Sequence, residues 1–286
     1  MEKYINPFTD FGFKKLFGTE ENHDILISFL NEILPDKKIA QITYRKNEHL
    51  GQSDLDRKVI FDLYCENEKG EKFIVELQKA KQSFFKDRAL YYSTFPIQEQ
   101  AKKGDWNYEL QAVYTIAILD FSFEDEAQDE VKVLVQLMDV VKKTVFYEKL
   151  SFLYLQMPNF KKSVEELESL EDKWFYLLKN LYKLEKVPNR LQEKIFEKVF
   201  EVAEIAHFDR QDRMAYEDSL KYYRDVKNSL DTAIEEGIQI GKEQGKLEEK
   251  YKTAEKCLLE GFSVETTAKI TELSVLEVQN IAKNLR

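Results

Sequence analysis

An α/β fold followed by an all-helical C-terminal region is what the sequence predicts, and three observations predict it. Short, strongly apolar runs cluster before residue 160, helical spacing dominates after it, and only 9 Gly and 5 Pro punctuate 286 residues. The early runs fall in the order helix, three strands, helix, strand. A chain of this length can bury a sizeable core in one large domain or two. A composition of 43% hydrophobic and 34% charged residues is that of a globular protein, not a low-complexity one.

The first stretch, "FTDFGFKKLFGTEENHDILISFLNEILP", has helical spacing. Phe13, Leu16 and Phe17 form one apolar group, and Ile25, Ile27, Phe29, Leu30, Ile33 and Leu34 a second. Gly18 should break or bend this helix and Pro35 should end it. "IAQITYRKNEHL" reads as a first strand and "RKVIFDLYCEN" as a second, joined through "EKG" to a third, "EKFIVELQ". Residues 83–103 read as a helix that Pro96 must kink or interrupt. "LQAVYTIAILDF" is a fourth strand, acidic "SFEDEAQDE" a surface loop, and "VKVLVQLM" and "KLSFLYLQM" further strands.

After Pro158 the pattern turns helical through "KKSVEELESLEDKWFYLLKNLYKL" and "RLQEKIFEKVFEVAEIAHF", then into a long polar helix from about Arg210. There Gly237, Gly241 and Gly245 recur every fourth residue. Each costs about 1 kcal/mol against alanine inside a helix, which suits a loosely helical tail or close helix–helix packing. Glu235, Lys242 and Glu243 exclude a transmembrane dimer motif. In the last residues Ser263 caps "VETTAKI", and Ser274 with Glu277 makes a capping box for "VLEVQNIAKNLR". The outline is that of a helix-turn-helix, yet Gln279, Asn280, Lys283 and Arg286 are a thin set for reading bases. Packing, or homo-oligomer formation through these helices, is the alternative. The expected division is 1–160 as the α/β domain, 161–230 as a helical extension and 231–286 as the tail.

A net charge of −10 argues against a broadly basic nucleic-acid coat. The deficit falls mainly on the later residues, and the stretch with Lys79, Lys81, Lys86 and Arg88 is locally positive. Any polyanion site is therefore expected near it. Cys65 and Cys257, far apart, indicate neither a disulfide framework nor a zinc knuckle. No run is apolar enough for a membrane span or a leader, so a cytoplasmic protein is expected. His23, His49 and His207 show no ligand spacing and no matching nucleophile.

The chemistry concentrates in "VIFDLYCE" and "FIVELQKAKQ". In the third strand Phe73, Val75 and Leu77 share one face and Ile74, Glu76 and Gln78 the other. Both faces begin apolar, and one then turns acidic and polar. With the hairpin turn centred near Gly70, Asp62 falls level with Glu76, close enough for the two carboxylates to share a cation. Two carboxylates and an amide oxygen suit a hard ion such as Mg2+, and like charges that close are costly without one. Two strand-end carboxylates in water are the competing reading of the same spacing.

From Asn6 to Phe160 the chain resembles the PD-(D/E)XK nuclease family transposases, also called recombination-promoting nucleases. The pieces that carry the resemblance are "FTDFGFKKLFG", "FDLYCENEKGEKFIVELQ" and "KDRALYYSTFPIQEQAKKGDWNYELQAVYTIAILDF", with "KLSFLYLQMPNFKKS", "EDKWFYLLK" and the glycine-spaced tail also similar. The resemblance implies a PD-(D/E)XK restriction-endonuclease-like core and hydrolysis of DNA by an enzyme dependent on Mg2+ or Mn2+. It makes Asp62 and Glu76 the metal ligands. Gln78 completes the catalytic set where the superfamily usually has a lysine. A lysine can activate water and stabilise phosphate charge, whereas an amide can only orient. Lys81 or Lys14 could supply a displaced charge, and Asp10 is an auxiliary acid or a helix cap. Lys79, Lys86 and Arg88 are the candidate DNA contacts, with Lys79 expected to face away from the acidic pair. Two other readings compete with the nuclease: an interaction protein that keeps the fold without turnover, and a regulator that binds DNA through its C-terminal helices.

Overall fold

The computed structural model describes residues 2–34, 36–46, 48–49, 59–101, 104–123 and 130–285. Of the expected features, Asn47 and Leu50 of the first strand, Arg57 and Lys58 of the second, Lys102 and Lys103 of the helix and residues 124–129 of the acidic loop lie outside these. The chain divides into two compact units, Met1–Lys227 and Asn228–Arg286.

The first unit opens with helices α1 (Asp10–Phe17) and α2 (His23–Ile33). Thr9 caps α1, its Oγ1 accepting from Gly12 N at 2.9 Å, so Asp10 is the first helical residue and not the cap. Gly18 ends the helix as expected, donating its N–H to Lys14 O at 2.8 Å. Next come strands β1 (Ile42–Tyr44), β2 (Glu48–His49), β3 (Val59–Ile60), β4 (Leu63–Asn67) and β5 (Lys72–Gln78). Helix α3 (Phe85–Gln98) and strand β6 (Val113–Leu119) follow, then β7 (Lys132–Asp139) and β8 (Thr144–Gln156). Helices α4 (Leu170–Asn180), α5 (Lys194–Ala203) and the start of α6 (Arg210–Leu259) complete the unit.

One six-stranded sheet runs β1-β4-β5-β6-β8-β7, and β2 and β3 form a separate pair. The hairpin β4–β5 is antiparallel with Leu63 opposite Val75, while β5, β6 and β8 run parallel. Gly70, at φ +76°, makes the hairpin turn in the left-handed region that favours glycine. Both sheet faces are covered, as the two apolar faces of β5 require. Phe73, Val75 and Leu77 pack into the main core with residues of α1, α2, α4 and α5. On the other face, Ile74 joins Phe61 and Tyr64 beneath Tyr92 and Phe95 of α3.

Four elements differ from expectation, the first being the stretch read as one first strand, which is divided between β1 in the six-stranded sheet and β2 in the separate pair. The second strand is broken: Phe61 and Asp62 interrupt the ladder between β3 and β4. Helix α3 contains Pro96 and stops at Gln98, where the bonding tightens from Glu99 N to Phe95 O to a three-residue turn from Gln100 N to Ile97 O. Between residues 161 and 183 only α4 is α-helical, preceded by the short 3-10 turn Val164–Glu166 and followed by Leu181–Lys183. Two successive capping boxes, Ser163 with Glu166 and Ser169 with Asp172, start helices twice in seven residues.

The second unit holds the rest of α6 with α7 (Val264–Thr271) and α8 (Val275–Asn284). Ser263 and Ser274 cap these two helices as expected, and Ala254, Ala268, Leu273, Val278 and Ile281 form their small core. A Cβ added at Gly237, Gly241 or Gly245 would meet open space, so no packing within this unit explains the glycine spacing.

Candidate active site

Extending the hairpin register by one pair sets Asp62 opposite Glu76. The two residues exchange backbone bonds through their side chains. Asp62 N donates to Glu76 Oε1 at 3.2 Å, and Leu77 N donates to Asp62 Oδ2 at 2.7 Å. These bonds take the place of ladder pairs where the strand breaks. Each carboxylate thus has one oxygen fixed by the facing chain, leaving Asp62 Oδ1 and Glu76 Oε2 as the remaining donor atoms.

Glu76 is only 8% exposed. Burial, and then the neighbouring Asp62, push its carboxyl up to about 8. Burial also raises Asp62 above the ordinary carboxylate range, with Asp10 adding to the effect and the Leu77 N–H opposing it. In the absence of a cation the pair therefore resists full ionisation.

Gln78 lies on the same face, its Nε2 3.4 Å from Glu76 Oε2. Its Oε1 accepts from Arg88 Nη2 at 2.5 Å, and the other Arg88 terminal nitrogen bonds Gln82. The guanidinium also stands over the rings of Phe85 and Tyr92, at 5.7 and 5.9 Å. A fixed positive charge therefore adjoins the Gln78 amide. It is one of the influences that draw Glu76 downward.

Lys79 turns to the opposite face, as strand alternation requires, and stands 5.1 Å over the Tyr222 ring of α6. It is nevertheless not remote from the pair. Burial holds its ammonium below the usual range, while Asp10 and Asp62 act against that shift. Asp10 and Lys14 form an ion pair at 3.0 Å, and both bear on Asp62. Lys81 is exposed between β5 and α3, and Lys86 stands 4.9 Å over Phe123. Tyr92 packs edge-on against Phe61 at 5.6 Å, which makes it part of the core.

Sequence reasoning passed over Tyr222, and over Asp120, whose N–H donates to Gln78 O at 2.9 Å. An acid closing the apolar run "TIAIL" was the one available signal for Asp120. Nothing in the local pattern could announce Tyr222, which reaches the site across more than a hundred residues of chain.

Among the described residues, no group of three or more His, Cys, Asp or Glu side chains is placed to hold a metal. The donor set is the carboxylate pair. Mg2+ keeps several waters and is often bound through one or two carboxylates plus substrate phosphates, so two hard oxygens with elevated proton affinity fit such an ion. Among the described residues no helix is long and apolar enough to cross a membrane.

No curated protein and no solved structure matches the chain. The family model that does match, over residues 7–233, spans both halves of the carboxylate pair, the Gln78–Arg88 contact and helices α1 to α5. By that match the chain belongs to the PD-(D/E)XK nuclease family transposases.

Proposed function

We propose that this chain hydrolyses DNA phosphodiester bonds with a divalent cation held between Asp62 and Glu76. The observation that carries the reading is the facing carboxylate pair, each member fixed by the other's strand and both biased toward protonation. A cation between them would offset the repulsion and displace the Glu76 proton. A bound Mg2+ or Mn2+ would supply a Lewis acid for the phosphate and a water of lowered pKa.

The chain's own groups would do the rest. Arg88, aligned by Gln78 and Gln82, offers N–H groups in a planar fork suited to phosphate oxygens. Gln78 thereby holds a charge in place instead of carrying one. Lys79, desolvated against Tyr222, is a second cation on the other side of Asp62. Asp10 sets the electrostatics of Asp62 from α1 and is not proposed as a ligand.

The amide at Gln78 also favours a second reading, a nuclease-fold protein that binds DNA without turnover. Nicking of supercoiled plasmid with and without Mg2+ separates the two. Metal-dependent nicking that vanishes in Asp62→Asn and Glu76→Gln supports the hydrolase. DNA binding with no nicking in either Mg2+ or Mn2+ supports the second reading.

A further inference from the structure

A cavity of about 310 Å³ opens at the C-terminal ends of β6 and β8, lined by Asp120, Lys179, Tyr182, Lys183, Tyr223 and Lys227 among others. It lies one strand over from the candidate site, because Asp120 N donates to Gln78 O. The Asp120 carboxylate is already engaged, accepting from Tyr223 Oη at 2.8 Å and from Lys227 Nζ at 3.2 Å. Lys179 donates to the carbonyls of Phe160 and Pro158, at 2.5 and 3.2 Å. Lys183 stands 5.2 Å over the Tyr182 ring and makes no ion pair among the described residues. Three ammonium groups thus face one carboxylate, in a chain whose net charge is −10. Burial, and then Lys183, hold the Lys179 ammonium below its usual range, as expected where a cation is crowded by another and lacks a full counter-charge.

We infer that this cavity is a phosphate subsite that holds a backbone phosphate of the same DNA strand that is presented to Asp62 and Glu76. The inference rests on the proposed nuclease reading for its substrate. Ammonium and phenol groups around a polar hollow supply the donors a tetrahedral anion needs. A DNA strand carries a charge about every 3.4 Å of helix rise, and neighbouring strands of a sheet lie about 4.8 Å apart. A DNA strand laid across the ends of β5 and β6 therefore carries several phosphates over the span between the acidic pair and the cavity.

The test is binding of a short labelled duplex to the full chain in chelator, titrated across salt concentrations. Lys179→Ala/Lys183→Ala should weaken binding and reduce the slope of log K against log salt by about 0.9, the value for one lost phosphate contact. Lys183→Gln, which changes one exposed side chain and leaves the Lys179 carbonyl bonds in place, should weaken binding and reduce the slope by part of that amount. Lys142→Ala, in the turn after β7, should leave it unchanged. An unchanged slope in Lys183→Gln, or an equal drop in Lys142→Ala, would overturn the subsite. So would inorganic phosphate bound through these lysines with the DNA slope intact, since the cavity would then serve a free anion. The binding test needs no metal, so a wild-type chain that shows these slopes but never nicks plasmid in Mg2+ or Mn2+ would defeat the nuclease reading and leave the subsite standing.

Discussion

Glu76 accepts from the Asp62 N–H and Asp62 from the Leu77 N–H, so each can lose its charge without losing its place. Asp62→Asn and Glu76→Gln keep an oxygen acceptor at each position and remove one member of a like-charged pair. We expect plasmid nicking to fall at least about a hundredfold, at the scale of losing a group that stabilises transition-state charge. The melting temperature in chelator should hold or rise. A marked fall in melting temperature would mean that the pair serves the fold. Acidity gives a second check. The Glu76 carboxyl sits at about 8 in the fold against an ordinary 4.5, so the folded, metal-free chain binds more protons than the unfolded chain between those values. The stability that this group contributes is therefore fully present below about pH 4.5 and is lost as pH rises through 8. Urea unfolding in chelator at pH 5 and pH 9 should show a smaller decline in Glu76→Gln than in the wild type. Gln78→Ala should slow nicking by roughly tenfold or more by freeing Arg88, and Gln78→Lys should retain or raise activity. Wild-type nicking by Gln78→Ala would make the amide purely structural. The level of Asp62 with Glu76 was legible because a hairpin about Gly70 has a symmetric register. The bond from Arg88 to Gln78 was not, because it depends on how α3 crosses the sheet.

Helix α1 shows packing overruling propensity. Alanine is favoured over glycine in a helix by about 1 kcal/mol, yet a Cβ on Gly12 would lie 2.3 Å from Asn6 O and 2.7 Å from Thr9 Oγ1. Both belong to the capping turn, in which Thr9 Oγ1 also donates to Asn6 O at 2.8 Å. Gly12→Ala should therefore destabilise by roughly 1–3 kcal/mol, in the range of overpacked sites. Denaturant titration checks the sign, and a gain in stability would show that the capping turn yields. The strand break at Asp62 is the element that local pattern concealed. "RKVIFDLYCEN" has the composition of one continuous strand. Only the bonds from Asp62 N to the Glu76 carboxylate and from Leu77 N to the Asp62 carboxylate replace ladder pairs there. The end of α3 was misjudged for a simpler reason, since a proline terminates a helix within a few residues without marking which one.

At the scale of the whole molecule, the division after Lys227 separates the carboxylate pair from the glycine-spaced part of α6, α7 and α8. A chain ending at Ser229 should fold with unchanged thermal stability of its core, and should still bind Mg2+ through Asp62 and Glu76. If the removed helices serve self-association, light scattering should show a smaller mass for the truncated chain than for the intact one. If they serve DNA capture, affinity at fixed salt should weaken instead. A folded truncated chain that has lost cleavage at saturating DNA would show that the tail contributes to the chemistry. By itself, the sequence determined the α/β order, the apolar faces of β5, the capping of α7 and α8 and the opposition of Asp62 to Glu76. All of these follow from short-range periodicity, side-chain capping chemistry and a tight turn. Only the tertiary structure decided that Arg88 adjoins Gln78, that Lys79 meets Tyr222, and that Lys179, Lys183 and Lys227 surround Asp120. The first depends on how α3 crosses the sheet, and the other two join segments far apart in the chain, where the burial of apolar faces, and not the local pattern, brings charges together.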